Sequence, residues 1–435
     1  MTTFDEILPK LEYVFRLHSI ETQRISPVYV NRDLNGRVRI IVSEKWEEDA
    51  RAHVALGAIT EALYEQLGPH AFPIGKAILF EADIQKLEEG CFVSPLTNVD
   101  GVRLIDRLVS EGSWSAISPI ATGAPRVVFF SIKGGVGRST ALAASAWSLA
   151  QSGKRVLVLD LDLESPGLSS SLLPNDRRPT YGITDWLVED LVDNGDAVIS
   201  SMIATSTLSH DGDIYVVPAH GANPGEYVSK LGRAWMPKLS VEGRRESWSQ
   251  RLQRLLNVLE ERLRPDVILI DSRAGIDEVA SACVTDLGAV LVLLFALDGE
   301  QTWSGYRILF QHWRNTAVAR DIRDRLQLVG ALIPEIGGVE YFSNLRENSW
   351  NLFSEELYDE VAPGEIAQGN IWSFDESEEG APHSPWPIRW NRGFAALRSL
   401  HSRLGAVDSE EVNSVFGDLN AGINSTIAIQ DMHDD

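Results

Sequence analysis

Basic residues and cysteines are both scarce in this chain. Its 435 residues include 39 Lys and Arg against 62 Asp and Glu, a formal net charge of −23. Such a surface repels nucleic acid and anionic lipid, so neither is the expected partner unless a local basic patch overrides the average. The two cysteines, Cys91 and Cys283, lie far apart. That excludes a cysteine metal cluster and a disulfide framework, and it points to a reduced, cytoplasmic setting. Long apolar runs are missing as well. The longest, AVLVLLFAL at 289–297, is about half a membrane span and reads as a buried strand. The opening MTTFDEILPKLEY carries early acids and no apolar core, which is not the pattern of a signal peptide.

What is present is ordinary for a globular protein: 44% hydrophobic and 23% charged residues. The length suits two or three domains. Residues 1–120 read as a separate α+β unit. LPKLEYVFRLH and EEDARAHVALGAITEALYEQLG have helical spacing, and AILFEA is strand-like. VYVNRDLNGRVRIIV reads as a hairpin turning at Asn35 and Gly36. No motif in this unit carries chemistry, so partner docking is its default role. SEGSWSAISPIATGAPR, at 110–126, reads as a linker.

From residue 126 the pattern changes. Short apolar runs recur without alternation: RVVFFS, RVLVLD, DIYVVP, PDVILID, AVLVLLFA and LVGALI. Helical patterns separate most of them. Strands buried on both faces and alternating with helices predict a doubly wound, mostly parallel α/β domain, placed at 121–405. Its ligands belong at the carboxyl ends of the strands. Three of those ends carry polar clusters: SIKGGVGRST, DLDLESPG and DSRAG. Residues 406–435 read as an acidic tail, frayed or solvated; no Lys or Arg follows Arg403.

The first cluster lies in VVFFSIKGGVGRSTALAAS, at 127–145. A glycine turn between strand and helix leaves backbone N–H groups pointing at one spot, and the helix N-terminus adds partial positive charge. Gly134, Gly135 and Gly137 remove side chains where phosphate oxygens approach, and Ser139 or Thr140 offers a hydroxyl to Mg²⁺.

Lys133 precedes the glycine pair, and the run KGGVGRST resembles the deviant Walker A loop, KGGxGK[ST], of the ParA/MinD family of P-loop ATPases. The resemblance implies that Gly134, Gly135, Val136, Gly137, Arg138, Ser139 and Thr140 bind ATP. It implies that Lys133 reaches the nucleotide of a facing subunit. DLDLESPGL, at 160–168, resembles the family's switch I, which assigns water positioning to Asp162 and the Mg²⁺ shell to Asp160. PDVILIDSRAG, at 265–275, resembles Walker B with switch II, so Asp271 holds the metal through water. Lys133 and Asp162 are thus the expected catalytic residues, and Ser139, Asp160 and Asp271 the expected metal residues. The departure is Arg138, where the family usually has a second lysine on the β- and γ-phosphates. Arginine keeps the charge and can pair bidentately with phosphate, but it is longer and planar. Slow turnover follows from that difference.

The same motifs are similar to those of a subgroup of bacterial MinD-like ATPases with extra N-terminal domains, whose members often belong to multigene conflict or anti-phage loci. The resemblance therefore implies an ATP-bridged homodimer that controls a protein partner encoded nearby. A non-hydrolysing, nucleotide-dependent scaffold and a DNA-associated positioning ATPase are the alternatives. Kinases of this fold use a tyrosine-rich tail, but no tyrosine follows Tyr358, and a MinD-like membrane anchor needs a basic terminal helix. From Arg233 to Arg264 there are eight Lys and Arg and four Glu, with an apolar stripe of Leu252, Leu255, Leu256 and Leu259. A helix packed on the sheet with a solvated basic face is preferred there over a nucleic-acid patch. APHSPWPIRWN, at 381–391, reads as a core edge near the family's adenine loop.

Overall fold

Apolar runs that lack alternation form strands with neighbours on both faces, and the computed structural model follows that rule. It describes residues 2–84, 86–89, 93–107, 113–239, 245–360, 371–394 and 400–434. Cys91, residues 110–112 of the linker reading and residues 240–244 of the basic segment lie outside the described residues. The chain divides into two units, Met1–Ser113 and Trp114–Asp435.

The first unit is a five-stranded sheet with helices. Its strands are β1 (Val28–Arg32), β2 (Val38–Ser43), β3 (Ile78–Glu81), β4 (Val93–Pro95) and β5 (Val102–Asp106), in the order β3-β2-β1-β5-β4. β1 and β2 form the expected hairpin, antiparallel around Asn35 and Gly36. Asp33 Oδ1 accepts from the backbone of Asn35 and Arg37, and Gly36 takes φ +73°. The helices Ile7–Leu17 and Ala50–Leu67 bury Leu11, Phe15, Leu56 and Ile59 against the sheet.

The second unit is built on an eight-stranded sheet. Its strands are β6 (Arg126–Ser131), β7 (Val156–Asp160), β8 (Ala204–Thr205), β9 (Ile214–Val217), β12 (Val267–Ala274), β13 (Leu291–Ala296), β14 (Leu326–Ile333) and β15 (Trp386–Arg389). A small ribbon of β10 (Lys238–Leu239) and β11 (Arg245–Glu246) stands apart. The sheet order is β15-β14-β13-β6-β12-β7-β9-β8. All neighbours are parallel except β8, which pairs antiparallel with β9. Side chains of β6 alternate between two cores: Val128 and Phe130 join Trp186, Leu255 and Phe310, while Val127 and Phe129 join Leu142 and Phe416. Helices therefore cover both faces, and the sheet's carboxyl edge stays free for loops.

Two expectations need correction. Residues from Trp114 onward are not a loose linker. Trp114 packs on Phe130 and Trp313, its carbonyl accepts from Trp313 Nε1 at 2.8 Å, and Ala121 N donates to Gly288 O at 2.9 Å. The bulky Trp114 outweighs the small polar residues around it. Nor is the acidic tail frayed. Ser409–Asp434 is a helix that buries Val412, Val415, Phe416, Leu419, Ile423 and Ile427. Ser145 Oγ, on the helix Arg138–Gln151, donates to Asn420 Oδ1 at 2.8 Å in the buried seam between them.

The basic segment forms the expected helix, but part of its basic face is paired within the fold rather than solvated. Trp248–Leu263 is a helix with its leucine stripe buried. Arg251, wholly buried, donates to Asp190, and Arg254 bridges Asp190 and Glu246. Two of its arginines are thus paired with acids of the fold.

Candidate nucleotide site

The site forms where three adjacent strands end. β12 lies between β6 and β7, and Asp271 of β12 stands directly beside Asp160 of β7 in the parallel register. Residues opposite each other in neighbouring parallel strands point to the same face, so these two carboxylates share one environment. β6 runs into the glycine loop, and the loop into the helix Arg138–Gln151. Gly135 and Gly137 take φ +77° and +82°, a backbone region that side chains oppose. A Cβ on Gly134 or Gly135 would meet no atom within 4 Å, so the loop faces open space. A Cβ on Gly137 would meet Leu332 Cδ2 at 3.3 Å.

That space is a pocket of about 640 Å³, lined by Ser131, residues 134–140, Asp162, Ser165, Arg273 and Ala274. Asp160 and Asp271 are buried beside it. Lys133 is exposed, and it makes no hydrogen bond or ion pair among the described residues. The structure thus gathers the loop, Asp160, Asp162 and Asp271 at one place and leaves Lys133 on its outer rim.

Arg138 is turned towards the carboxylates. It is 6% exposed. Its Nε donates to Asp271 Oδ1 at 2.6 Å, its Nη2 to Asp162 Oδ2 at 3.0 Å and its Nη1 to Ser131 Oγ at 3.2 Å. Ser139 Oγ donates to the other oxygen of Asp271, also at 2.6 Å. Burial opposes the arginine's charge, but Asp271 and Asp162 outweigh it and hold the guanidinium pKa above its ordinary value. Burial, with Asp271 and Asp162 adding repulsion, pushes the Asp160 carboxyl well above its ordinary value. Burial also raises Asp162, against the pull of Arg138.

Three site residues escaped the sequence reading as ligand-facing groups. Ser131 ends β6, Arg273 follows the Walker B-like aspartate, and Ser165 sits in the turn where Asp162 Oδ1 accepts from its N–H. Arg273 Nη2 meets Glu164 Oε2 at 2.5 Å, and its Nη1 meets Asp277 at 3.2 Å. Serine and arginine were inside the quoted motifs, but only the folded geometry aims them at the pocket.

The donor set suits a hard cation shared with phosphate. Among the described residues Asp160 Oδ1 is buried without a hydrogen-bond partner, while Asp271 and the Ser139 hydroxyl supply further oxygens. Among the described residues no group of three His, Cys, Asp or Glu is arranged to hold a metal alone. Mg²⁺ commonly fills its shell with water and substrate phosphates, so these oxygens fit it.

The sequence profile of the CobQ/CobB/MinD/ParA nucleotide binding domain matches residues 127–422. The chain belongs to this family. It is similar to the septum site-determining protein MinD of Escherichia coli K12, with 24% identity over 253 residues, 58% of this chain and 72% of that protein. MinD of Buchnera aphidicola is 26% identical over 170 residues, 39% of this chain; the chain spans about half, 49%, of that protein's length. Among solved structures, a ParA family ATPase from Chlorobium tepidum aligns with TM-score 0.44 and 15% identity, over 69% of this chain and 99% of that one. MinD from Pyrococcus horikoshii, complexed with Mg-ADP, aligns with TM-score 0.43 and 17% identity, over 71% and 98%. No helix among the described residues of this family member is long and apolar enough to cross a membrane.

Proposed function

We propose that this protein is a slow ATPase switch: ATP with Mg²⁺ bridges two copies, and hydrolysis separates them. One observation carries the reading. An open glycine cradle at a helix N-terminus lines a pocket of about 640 Å³ together with Asp162, and the buried Asp160 and Asp271 stand beside it. Backbone N–H groups of residues 134–140 bind phosphate oxygens. Ser139, Asp160 and Asp271 would hold Mg²⁺, which neutralises phosphate charge when bound. Asp162 orients water on the γ-phosphorus; the bond to the β-phosphate oxygen breaks, giving ADP and inorganic phosphate. Lys133, free on the rim, reaches the nucleotide of the second copy.

The bound dimer controls a protein partner, in an anti-phage or conflict setting as the sequence resemblance suggests. Consumption of basic side chains by Asp190 and Glu246 supports a protein partner over nucleic acid. A nucleotide-dependent scaffold without turnover is the second reading, favoured by the pairing of Asp162 with Arg138. Two measurements test the switch: steady-state phosphate release, and mass by light scattering with and without ATP and Mg²⁺. Phosphate release with a nucleotide-driven gain in mass, lost in Lys133→Ala, supports it. Binding without phosphate release leaves the scaffold; unchanged mass removes the bridged dimer.

A further inference from the structure

We propose that Arg138 is the resident counter-cation of the Asp160, Asp162 and Asp271 cluster, holding the divalent-metal position closed until a nucleotide brings its metal. What displaces the arginine rests on the nucleotide reading above. What the arginine does in the nucleotide-free chain does not.

The contacts themselves define the role. A guanidinium has five N–H groups in a fixed planar fork, and here three nitrogens each engage a different partner. It spans from Asp271 to Asp162 and reaches Ser131 as well. The hydroxyl a phosphate loop offers to a metal, that of Ser139, is committed to Asp271 as well. Both oxygens of Asp271 are therefore engaged, and one of the two on Asp162 is bound to the arginine. Buried beside them, Asp160 keeps one oxygen without a partner, so the cluster has room for a further cationic ligand once the arginine moves.

Charge explains why the two cations exclude each other. Arginine cannot shed its proton inside a protein, so a divalent ion at these oxygens would sit against a fixed positive charge. Entry of the metal requires the fork to leave. Its side chain starts from the first residue of the loop helix, so the same group that leaves the carboxylates lines the phosphate pocket. This also accounts for arginine at a position where lysine would serve phosphate alone. A single ammonium is a point charge and does not span two carboxylates and a hydroxyl with planar geometry.

The test uses the full chain, free of nucleotide. Mn²⁺ binding is titrated by electron paramagnetic resonance, and thermal unfolding is followed in EDTA and in Mn²⁺. Wild type is expected to bind Mn²⁺ weakly and to unfold at the same temperature in both. Arg138→Ala leaves the carboxylates without a cation: it should unfold earlier in EDTA, recover in Mn²⁺, and bind Mn²⁺ roughly tenfold or more tighter than wild type, the scale of removing one close buried charge. Wild type binding Mn²⁺ as tightly as Arg138→Ala, or Arg138→Ala binding none, overturns the proposal. If Arg138→Ala does not fold in EDTA, the neutral Arg138→Met, which keeps most of the side-chain volume, carries the comparison, and an affinity no tighter than wild type is the overturning result. ATP titrated separately against wild type tests the nucleotide reading. Failure there with the Mn²⁺ pattern intact would remove that reading and leave the counter-cation supported.

Discussion

Arg138 Nη2 lies 3.0 Å from Asp162 Oδ2, in a pair that is largely buried on both sides. The sequence assigns one of these residues to phosphate and the other to water. In the chain alone they neutralise each other, so on those assignments each would give up the other to act on a nucleotide.

Asp162→Ala should keep ATP binding and lose turnover. Asp271 still holds Arg138, so the loop keeps its anchor. A carboxylate that orients water acts mainly in the transition state, and its loss should slow phosphate release by about 10²-fold or more. ATP titration beside phosphate release checks this; equal losses in both would remove Asp162 from the water-positioning role.

The glycines of the loop should separate strain from crowding. Gly137→Val places a branched side chain at φ +82° and within reach of Leu332, so both folding stability and ATP affinity should fall, stability by about 1–3 kcal/mol. Gly134→Ala is not at positive φ and would meet no atom of the chain within 4 Å. It should unfold as wild type does, yet bind ATP more weakly. Denaturant unfolding with ATP titration distinguishes them, and normal ATP affinity in Gly134→Ala would argue against a phosphate cradle.

Phe416→Ala should destabilise the second unit by about 3–5 kcal/mol, the usual cost of emptying a buried phenylalanine site. Phe416 belongs to the same core as Leu142 of the loop helix. Urea unfolding of the variant measures the cost. A change under about 1 kcal/mol, the scale of surface substitutions, would mean the terminal helix is not packed on that core.

Asp286 should give the second unit a pH-dependent stability. Burial lifts its carboxyl from the ordinary 3.8 to about 6, against hydrogen bonds from Thr285 and Ser249. The folded chain therefore holds this proton more tightly than the unfolded chain. Its contribution is complete below about pH 4 and is lost as pH rises through about 6. Asp286→Asn should match wild type near pH 4 and exceed its stability at pH 7 by up to about 3 kcal/mol. Unfolding curves across that range check the sign; a constant difference between the two proteins would exclude Asp286 as the source.

Much of the second unit was legible because buried parallel strands leave a distinctive trace. RVVFFS coincides with β6, and the five other apolar runs each contain or overlap a strand of the same sheet. The terminal helix was legible too, and composition obscured it. Val412, Val415, Phe416, Leu419, Ile423 and Ile427 recur at helical spacing, but the acids around them suggested solvent. The edge strands β8 and β15 left little trace, since the first has two residues and the second contains Pro387. The direction of Arg138 was not legible at all. Its partners Asp162 and Asp271 stand 24 and 133 positions away, and only the strand register brings them to it.

The contact between Arg273 and Glu164 joins the turn after β7 to the carboxyl end of β12. Both side chains are about one-third exposed, and such pairs contribute on the order of 0–1 kcal/mol. Arg273 also lines the pocket, so an anion bound there would compete with Glu164 for the same guanidinium at little cost in stability.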